Sequence, residues 1–131
     1  MNVFERIQFI NNLLSEADIY IERGDPVQSS EKLYKAAEEC IKALAEHFNL
    51  EEAKTAEEKG RWTITLLEKA VGKIMDKAGI DIELGWAEAN YLHVLGFHEL
   101  KLDVEDVKRR VPIIKRLIQL TEKNLSQLTT K

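Results

Sequence analysis

Two histidines, an asparagine and a tryptophan lie close together between residues 86 and 98, in a segment that is otherwise largely apolar. An α-helix turns by about 100° per residue, which places Trp86, Asn90 and His93 on one stripe. Burying an amide and an imidazole there costs free energy unless both find hydrogen-bond partners. The sequence therefore predicts one of two arrangements: Asn90 and His93 line a polar pocket, or His93 is a neutral core residue bonded to another helix.

The spacing of His93 and His98 predicts that they do not share a metal ion. Residues five apart on an α-helix point roughly 140° away from each other, whereas helical metal pairs use spacings of three or four. Cys40 is the single cysteine, so the chain cannot form an internal disulfide or a cysteine-rich metal site. The sequence therefore predicts no metal and no cofactor. His98 is explained by a favourable interaction with the dipole at a helix C-terminus.

Arg61 and Trp62 form a second candidate group at the predicted start of a helix. The guanidinium of Arg61 and the free N–H groups of a first helical turn suit an anion, and Trp62 can either stack on a base or pack in the core. If Arg61 approached Asn90 and His93, the three would form an electropositive, hydrogen-bonding cleft. Tyr34, near the start of the second predicted helix, adds a hydroxyl to these candidates. The sequence has no glycine-rich phosphate-binding loop.

The elements that position these residues are five predicted helices, in which apolar residues recur at spacings of three and four. Gly24 and Gly79 end two of them, and Asp25-Pro26 reads as an N-cap followed by proline at the first helical position. The predicted helices span about 3–23, 26–48, 61–78, 86–99 and 104–128. Residues 49–60 form a charged connection that has room for a helical turn, and residues 81–85 lead into the fourth helix. No segment alternates with a period of two, so the sequence predicts an all-α antiparallel helical bundle in which residues 1–131 are one domain.

The fifth predicted helix has an unusually wide apolar face. Its regular stripe is flanked by a second apolar row at Ile113, Leu117 and Leu120. A face this wide on a terminal helix would contact the bundle and leave surface for a second copy, which predicts a homodimer. The alternative is a helix that lies deep in its own bundle.

Composition narrows the class of protein. A chain that is 44% hydrophobic and 32% charged is typical of a soluble globular protein. The net charge of -4 argues against a broad basic surface for duplex nucleic acid. The first residues lack a signal-peptide core, and no apolar run approaches the roughly 20 residues of a membrane span. The sequence therefore predicts a cytoplasmic protein without membrane association.

Several segments together resemble the archaeal PaREP family of small helical proteins. The resemblance lies in Gly24-Asp25, in 28–38 with its continuation through 42–45, in 60–62, and in 89–99. The family looks like a branch of the HEPN superfamily, whose name refers to nucleotide binding. The resemblance implies a HEPN-like helical bundle that dimerises and binds a nucleotide or RNA. It also implies a nucleotidyltransferase or a toxin as a possible partner.

Many HEPN proteins are ribonucleases that use an arginine five to seven positions before a histidine. Residues 86–88 precede His93 at that spacing and residues 91–93 precede His98, and neither set contains arginine. The sequence therefore favours a non-enzymatic binding module over a metal-independent ribonuclease that uses His93 or His98. A ligand-free scaffold or antitoxin-like protein is a third hypothesis. The predicted ligand-binding residues are Tyr34, Arg61, Trp62, Asn90, His93 and His98.

Overall fold

The computed structural model describes residues 1–127, and within that range the chain is helical without any β-strand. The elements are α1 (Val3–Glu22), α2 (Pro26–His47), α3 (Glu51–Lys59), α4 (Ile64–Ala78), α5 (Ile80–Tyr91), a π-helical segment (Leu92–His98) and α6 (Val104–Ser126). The predicted all-α helical bundle is confirmed. The predicted end of the last helix, near Leu128, lies outside the described residues.

Local sequence signals explain where the helices begin. The side chain of Asp25 accepts a hydrogen bond from the Gln28 backbone, and Pro26 occupies the first turn of α2. Asp103 starts α6 through a capping box with Asp106, in which each side chain accepts from the other residue's backbone N–H. The N-cap at Asp25 with Pro26 is confirmed as predicted, and α6 begins at the predicted residue 104.

Helix α2 is the centre of the bundle. It packs against α1, α4, α5, α6 and the π-helical segment. Helix α2 pairs with α1 in an antiparallel orientation. Lys32 forms an ion pair with Glu16 near one end of the hairpin, and Arg6 forms one with Glu46 near the other end. The apolar face of α2 is fully buried and holds the other helices in place through side chains such as Leu33, Ile41 and Leu44.

The charged connection after α2 is a helix rather than a loop. Helix α3 spans nine residues, Glu51–Lys59, so the chain has six α-helices within residues 1–127, where the sequence predicted about five. Its buried side is small, formed by Ala56 and by the aliphatic part of Glu52, whose carboxylate bonds Lys73 of α4. The sequence left room for a helical turn here but did not predict a full helix, because the apolar face of α3 is too narrow to give a clear periodic signal.

The segment 81–85 is also helical, contrary to the prediction that it forms a lead into the fourth helix. Gly79, with φ of +104°, separates α4 from α5, and α5 begins at Ile80. Gly85 does not break the helix but lets it pack closely on α6, since a Cβ there would lie 2.6 Å from the Cβ of Leu117. Its small size serves packing, which sequence alone does not distinguish from a break.

The apolar flank of α6 belongs to the core. Leu117 is fully buried and Leu120 is 9% exposed, so of that flank Ile113 alone is exposed. The width of the apolar face is thus explained by burial within the bundle, as the alternative reading predicted, and it no longer argues for a dimer. Among the described helices, none is both long enough and apolar enough to cross a membrane.

Candidate functional site

The segment Leu92–His98 continues α5 without interruption but is wound as a π-helix. In a π-helix each N–H donates to the carbonyl five residues earlier, as in the 2.9 Å bond from Glu99 N to Val94 O directly after the segment. A π-helix has more residues per turn than an α-helix, so side chains five apart lie on the same face, whereas in an α-helix they diverge. π-Helical turns are rare and occur often at functional sites, which draws attention to the side chains that this one positions.

The π-helical winding brings His93 and His98 into direct contact. Their Nε2 atoms are 3.1 Å apart, and the ring planes are nearly perpendicular at 80°. The predicted separation of roughly 140° is wrong, because it assumed α-helical winding. The two imidazoles form one chemical unit, partly buried at His93 and exposed at His98.

Helix α2 supplies the other groups around His93. A carboxylate oxygen of Glu31 lies 3.1 Å from Nδ1 of His93 and accepts a hydrogen bond from its N–H. The ring of Tyr34 stacks on the imidazole at a centroid distance of 4.0 Å, and the ring of Phe97 lies parallel at 6.0 Å. We call Glu31, Tyr34, His93, Phe97 and His98 the histidine cluster. His93 is thus bonded to another helix, as one of the two sequence hypotheses expected, but at the edge of the core.

Tyr34 contributes an aromatic face rather than a reactive phenolate. Burial raises the pKa of its phenol to about 12, and the carboxylates of Glu38 and Glu31 act in the same direction. The hydroxyl therefore stays protonated under ordinary conditions. Tyr34 is 7% exposed, and its ring centroid lies 5.8 Å from that of buried Trp86. The ring of Tyr34 is therefore held in place by the core and fixes the position of the His93 ring that stacks on it.

Asn90 is not the partner of His93. Its amide nitrogen donates to the carbonyl of Trp86 at 2.9 Å, one turn earlier on the same helix. Trp86 itself is 1% exposed and donates its indole N–H to the carboxylate of Glu68 on α4. The polar groups on the predicted stripe are therefore satisfied by separate partners, and Asn90 and His93 do not bond each other.

Arg61 and Trp62 lie in the turn between α3 and α4, at the other end of α2. Helix α4 begins at Ile64 and not at Arg61, so Arg61 is not in its first turn as predicted. The N-cap is Thr63, whose hydroxyl accepts a hydrogen bond from the backbone N–H of Leu66. Twelve residues of α2 separate Tyr34 from Glu46, which is about 18 Å at 1.5 Å per residue. Arg61 therefore does not approach Asn90 and His93, and the condition for a shared cleft is not met.

The turn borders a cavity of its own, with a volume of about 630 Å³. We call it the Arg61–Trp62 cavity. Its other lining residues come from α3 and the end of α2 and include Glu46, Asn49, Leu50, Ala53, Lys54 and Glu57. Glu46 is engaged by Arg6 at 2.9 Å, and Lys54 lies 3.9 Å from Glu51. Within residues 1–127, no carboxylate forms an ion pair with Arg61.

Two residues that shape the histidine cluster escaped the sequence analysis. Glu31 was one charged residue among many on α2, and nothing in the sequence connected it with His93. Gly96 is more noticeable in the sequence, as a glycine within an apolar helical segment. A Cβ at this position would lie 2.2 Å from the Oγ of Ser30, so the π-helical segment packs directly on α2. A glycine inside an apolar helical pattern indicates such a close approach but does not identify the partner.

Comparisons with known proteins cover both regions. The model of the archaeal PaREP1/PaREP8 family matches residues 5–118. The crystal structure of a structural-genomics target from Sulfolobus solfataricus is similar, with a TM-score of 0.82 and 37% identity over 90% of this chain and 97% of that chain. The solution structure of the same target has a TM-score of 0.77 and 36% identity over 92% and 93% of the two chains. No curated protein matches the sequence significantly.

Proposed function

The chain belongs to the archaeal PaREP1/PaREP8 family, and we propose that it is a non-enzymatic binding module for a nucleotide, held in the Arg61–Trp62 cavity. The observation that carries this proposal is a concave space bordered by an aromatic ring and by a cation without a carboxylate partner among the described residues. Its volume of about 630 Å³ lies within the range of small-molecule sites. The HEPN-like relationship stays a prediction, and it favours the same class of ligand.

Each part of a nucleotide has a complementary group in the cavity. The partly buried ring of Trp62 offers a stacking face for a base, an interaction of about 1–3 kcal/mol. Arg61 offers a planar guanidinium for phosphate oxygens. Leu50 and Ala53 form the apolar floor. The arrangement therefore accounts for a base and one phosphate with few groups.

The carboxylates in the lining restrict the ligand. Glu46 and Glu57 border the same cavity as Lys54 and Arg61, so the two cations face two anions. A ligand with three phosphates would be repelled more strongly than one with a single phosphate. Carboxylate oxygens instead accept hydrogen bonds from ribose hydroxyls or a base amino group. We therefore expect a nucleoside monophosphate or the end of a single RNA strand.

The direct test is calorimetric titration with the four ribonucleoside monophosphates and a short single-stranded RNA. We expect Arg61→Gln to weaken binding at least tenfold, since one charge-assisted contact is worth about 1.5–3 kcal/mol. Arg109→Gln is the matched control because Arg109 is an exposed arginine on α6, remote from the cavity lining. Absence of binding at millimolar nucleotide, or equal affinities of native protein and Arg61→Gln, would contradict the proposal.

The histidine cluster gives little support to the ribonuclease hypothesis. The two Nε2 atoms contact each other, so a scissile phosphate has no space between them to be flanked by a general acid and a general base. Arg61, which would have supplied a cation, lies toward the other end of α2. Incubation with mixed RNA is a simple check, and we expect the RNA to stay intact.

Self-association and a protein partner stay predictions of the family resemblance. An exposed apolar side chain such as Phe4, at 73%, offers surface for a homodimer. Light scattering on the purified protein measures the oligomeric state. Co-purification with a nucleotidyltransferase or toxin encoded nearby would identify the partner.

A further inference from the structure

The facing nitrogens of the histidine cluster have the separation that a shared metal ion requires. Metal–imidazole bonds of roughly 2.0–2.1 Å that meet at about 90° to 110° hold two nitrogens roughly 2.9–3.4 Å apart. The Nε2 atoms of His93 and His98 are 3.1 Å apart. Without a metal, one Nε2–H donates to the other nitrogen. Binding an ion at this separation requires the loss of that proton and a rotation of the exposed His98 ring, so that both lone pairs point to the ion.

Glu31 prepares His93 for such a role. Its carboxylate accepts a hydrogen bond from Nδ1 of His93, which leaves Nε2, on the side of His98, as the unprotonated nitrogen of a neutral ring. Metal-binding histidines usually donate their second ring N–H to a carboxylate or carbonyl, which fixes the tautomer and increases the basicity of the ligand. Tyr34 restricts the same ring from its face at 4.0 Å. His93 is therefore oriented in advance, while exposed His98 is free to adjust.

We propose that Nε2 of His93 and Nε2 of His98 bind a divalent transition-metal ion, with Glu31 as the positioning residue of His93. Imidazole nitrogens favour Cu²⁺, Ni²⁺ and Zn²⁺ over Mg²⁺ and Ca²⁺. Within residues 1–127, no group of three or more histidine, cysteine or acidic side chains is arranged around one point, so the protein supplies two ligands. Water or a small anion completes the coordination on the exposed side of His98. This site is independent of the Arg61–Trp62 cavity.

The test is calorimetric titration of the full chain, without a histidine tag, with Zn²⁺, Ni²⁺ and Cu²⁺ in a buffer that does not chelate metals. We expect one equivalent to bind, most tightly for Cu²⁺. His98→Ala removes one of two ligands and is expected to weaken binding at least tenfold. Since His98 is exposed, this variant should keep the fold, which circular dichroism verifies. Glu31→Gln should weaken binding by about tenfold, at the lower end of the effect of such supporting carboxylates.

His47→Ala is the matched control. His47 is the remaining histidine of the chain and is exposed at the end of α2, away from the histidine cluster. The proposal expects His47→Ala to bind metal as the native protein does. It is overturned if the native protein binds no stoichiometric metal, if His98→Ala binds as tightly as the native protein, or if His47→Ala loses as much affinity as His98→Ala.

Discussion

The two ends of α2 carry two different kinds of polar site. At one end the histidine cluster consists of side chains that already satisfy one another, with His93 held by Glu31, Tyr34 and His98. At the other end the Arg61–Trp62 cavity is open, and its guanidinium has no ion-pair partner in the described part of the chain. The first arrangement is preorganised for a small ion between two nitrogens, whereas the second leaves space for an organic molecule. A difference in packing therefore separates residues that the sequence had grouped as candidates for one pocket, with Arg61 and Trp62 at one end of α2 and His93 at the other.

Substitution of the two tryptophans is the strongest test of the difference between the two ends of α2. Trp86 supports the histidine cluster from the core, at 1% exposure, and Trp86→Ala should lower the free energy of unfolding by about 3–5 kcal/mol. Trp62 packs against the core but is partly buried, so Trp62→Ala should cost less, about 1–2 kcal/mol, and abolish the expected nucleotide binding. Urea unfolding and calorimetry measure the two effects. If Trp62→Ala proved as destabilising as Trp86→Ala, its ring would be a core anchor and not a ligand platform.

Gly96 offers a second, smaller test at the histidine cluster. Gly96→Ala would place a Cβ 2.2 Å from Ser30 Oγ and 2.7 Å from Ser30 Cβ, so the π-helical segment must shift away from α2. We expect a loss of about 1–3 kcal/mol in urea unfolding and weaker metal binding. The movement separates His93 from Glu31 while leaving the Arg61–Trp62 cavity untouched, so nucleotide binding should not change.

Gly72→Ala is the matched control for Gly96→Ala. Gly72 lies inside α4, and a Cβ there meets nothing within 4 Å. Alanine at such a position should stabilise the protein by about 0.5–1 kcal/mol. Ser30→Ala should partly restore the Gly96→Ala variant, because it removes the nearest clashing atom, a buried hydroxyl without a hydrogen-bond partner. Equal stabilities of the two glycine variants would contradict the close contact of the π-helical segment with α2.

These glycines also show how far the sequence determines the fold and the site. Helical periodicity and the caps at Asp25 and Asp103 were sufficient for an all-α bundle, since both depend on neighbouring residues. The winding of Leu92–His98 was not predictable from neighbouring residues, and the close packing of Gly96 on Ser30 joins residues 66 positions apart in the chain. The relative position of His93 and His98 followed from that winding. Arg61 and His93 were considered for one cleft because the sequence does not show that they lie near opposite ends of α2.

The smallest expected effect concerns the wall of the Arg61–Trp62 cavity, where α3 is held by Glu52. Burial raises the pKa of this carboxyl, but hydrogen bonds from Lys73 and from the backbone, together with the charges of Lys73 and Lys69, outweigh burial and lower the pKa below its usual value. The folded-state pKa is therefore below the unfolded one. Glu52 then contributes stability above the unfolded pKa, and that stability is lost as the pH falls through the folded pKa.

Replacing this carboxylate should therefore matter at neutral pH and not in acid. Glu52→Gln should cost about 1–2 kcal/mol at pH 7, since the 2.9 Å contact with Lys73 loses its charge. The difference from native protein should shrink toward zero as unfolding is repeated at decreasing pH. Glu51→Gln is the matched control, because the neighbouring carboxylate is exposed and lies 3.9 Å from Lys54. A pH-independent difference would mean that Glu52 acts through packing alone. In that case lowering the pH would not loosen α3, and protonation of Glu52 would not weaken nucleotide binding in the Arg61–Trp62 cavity.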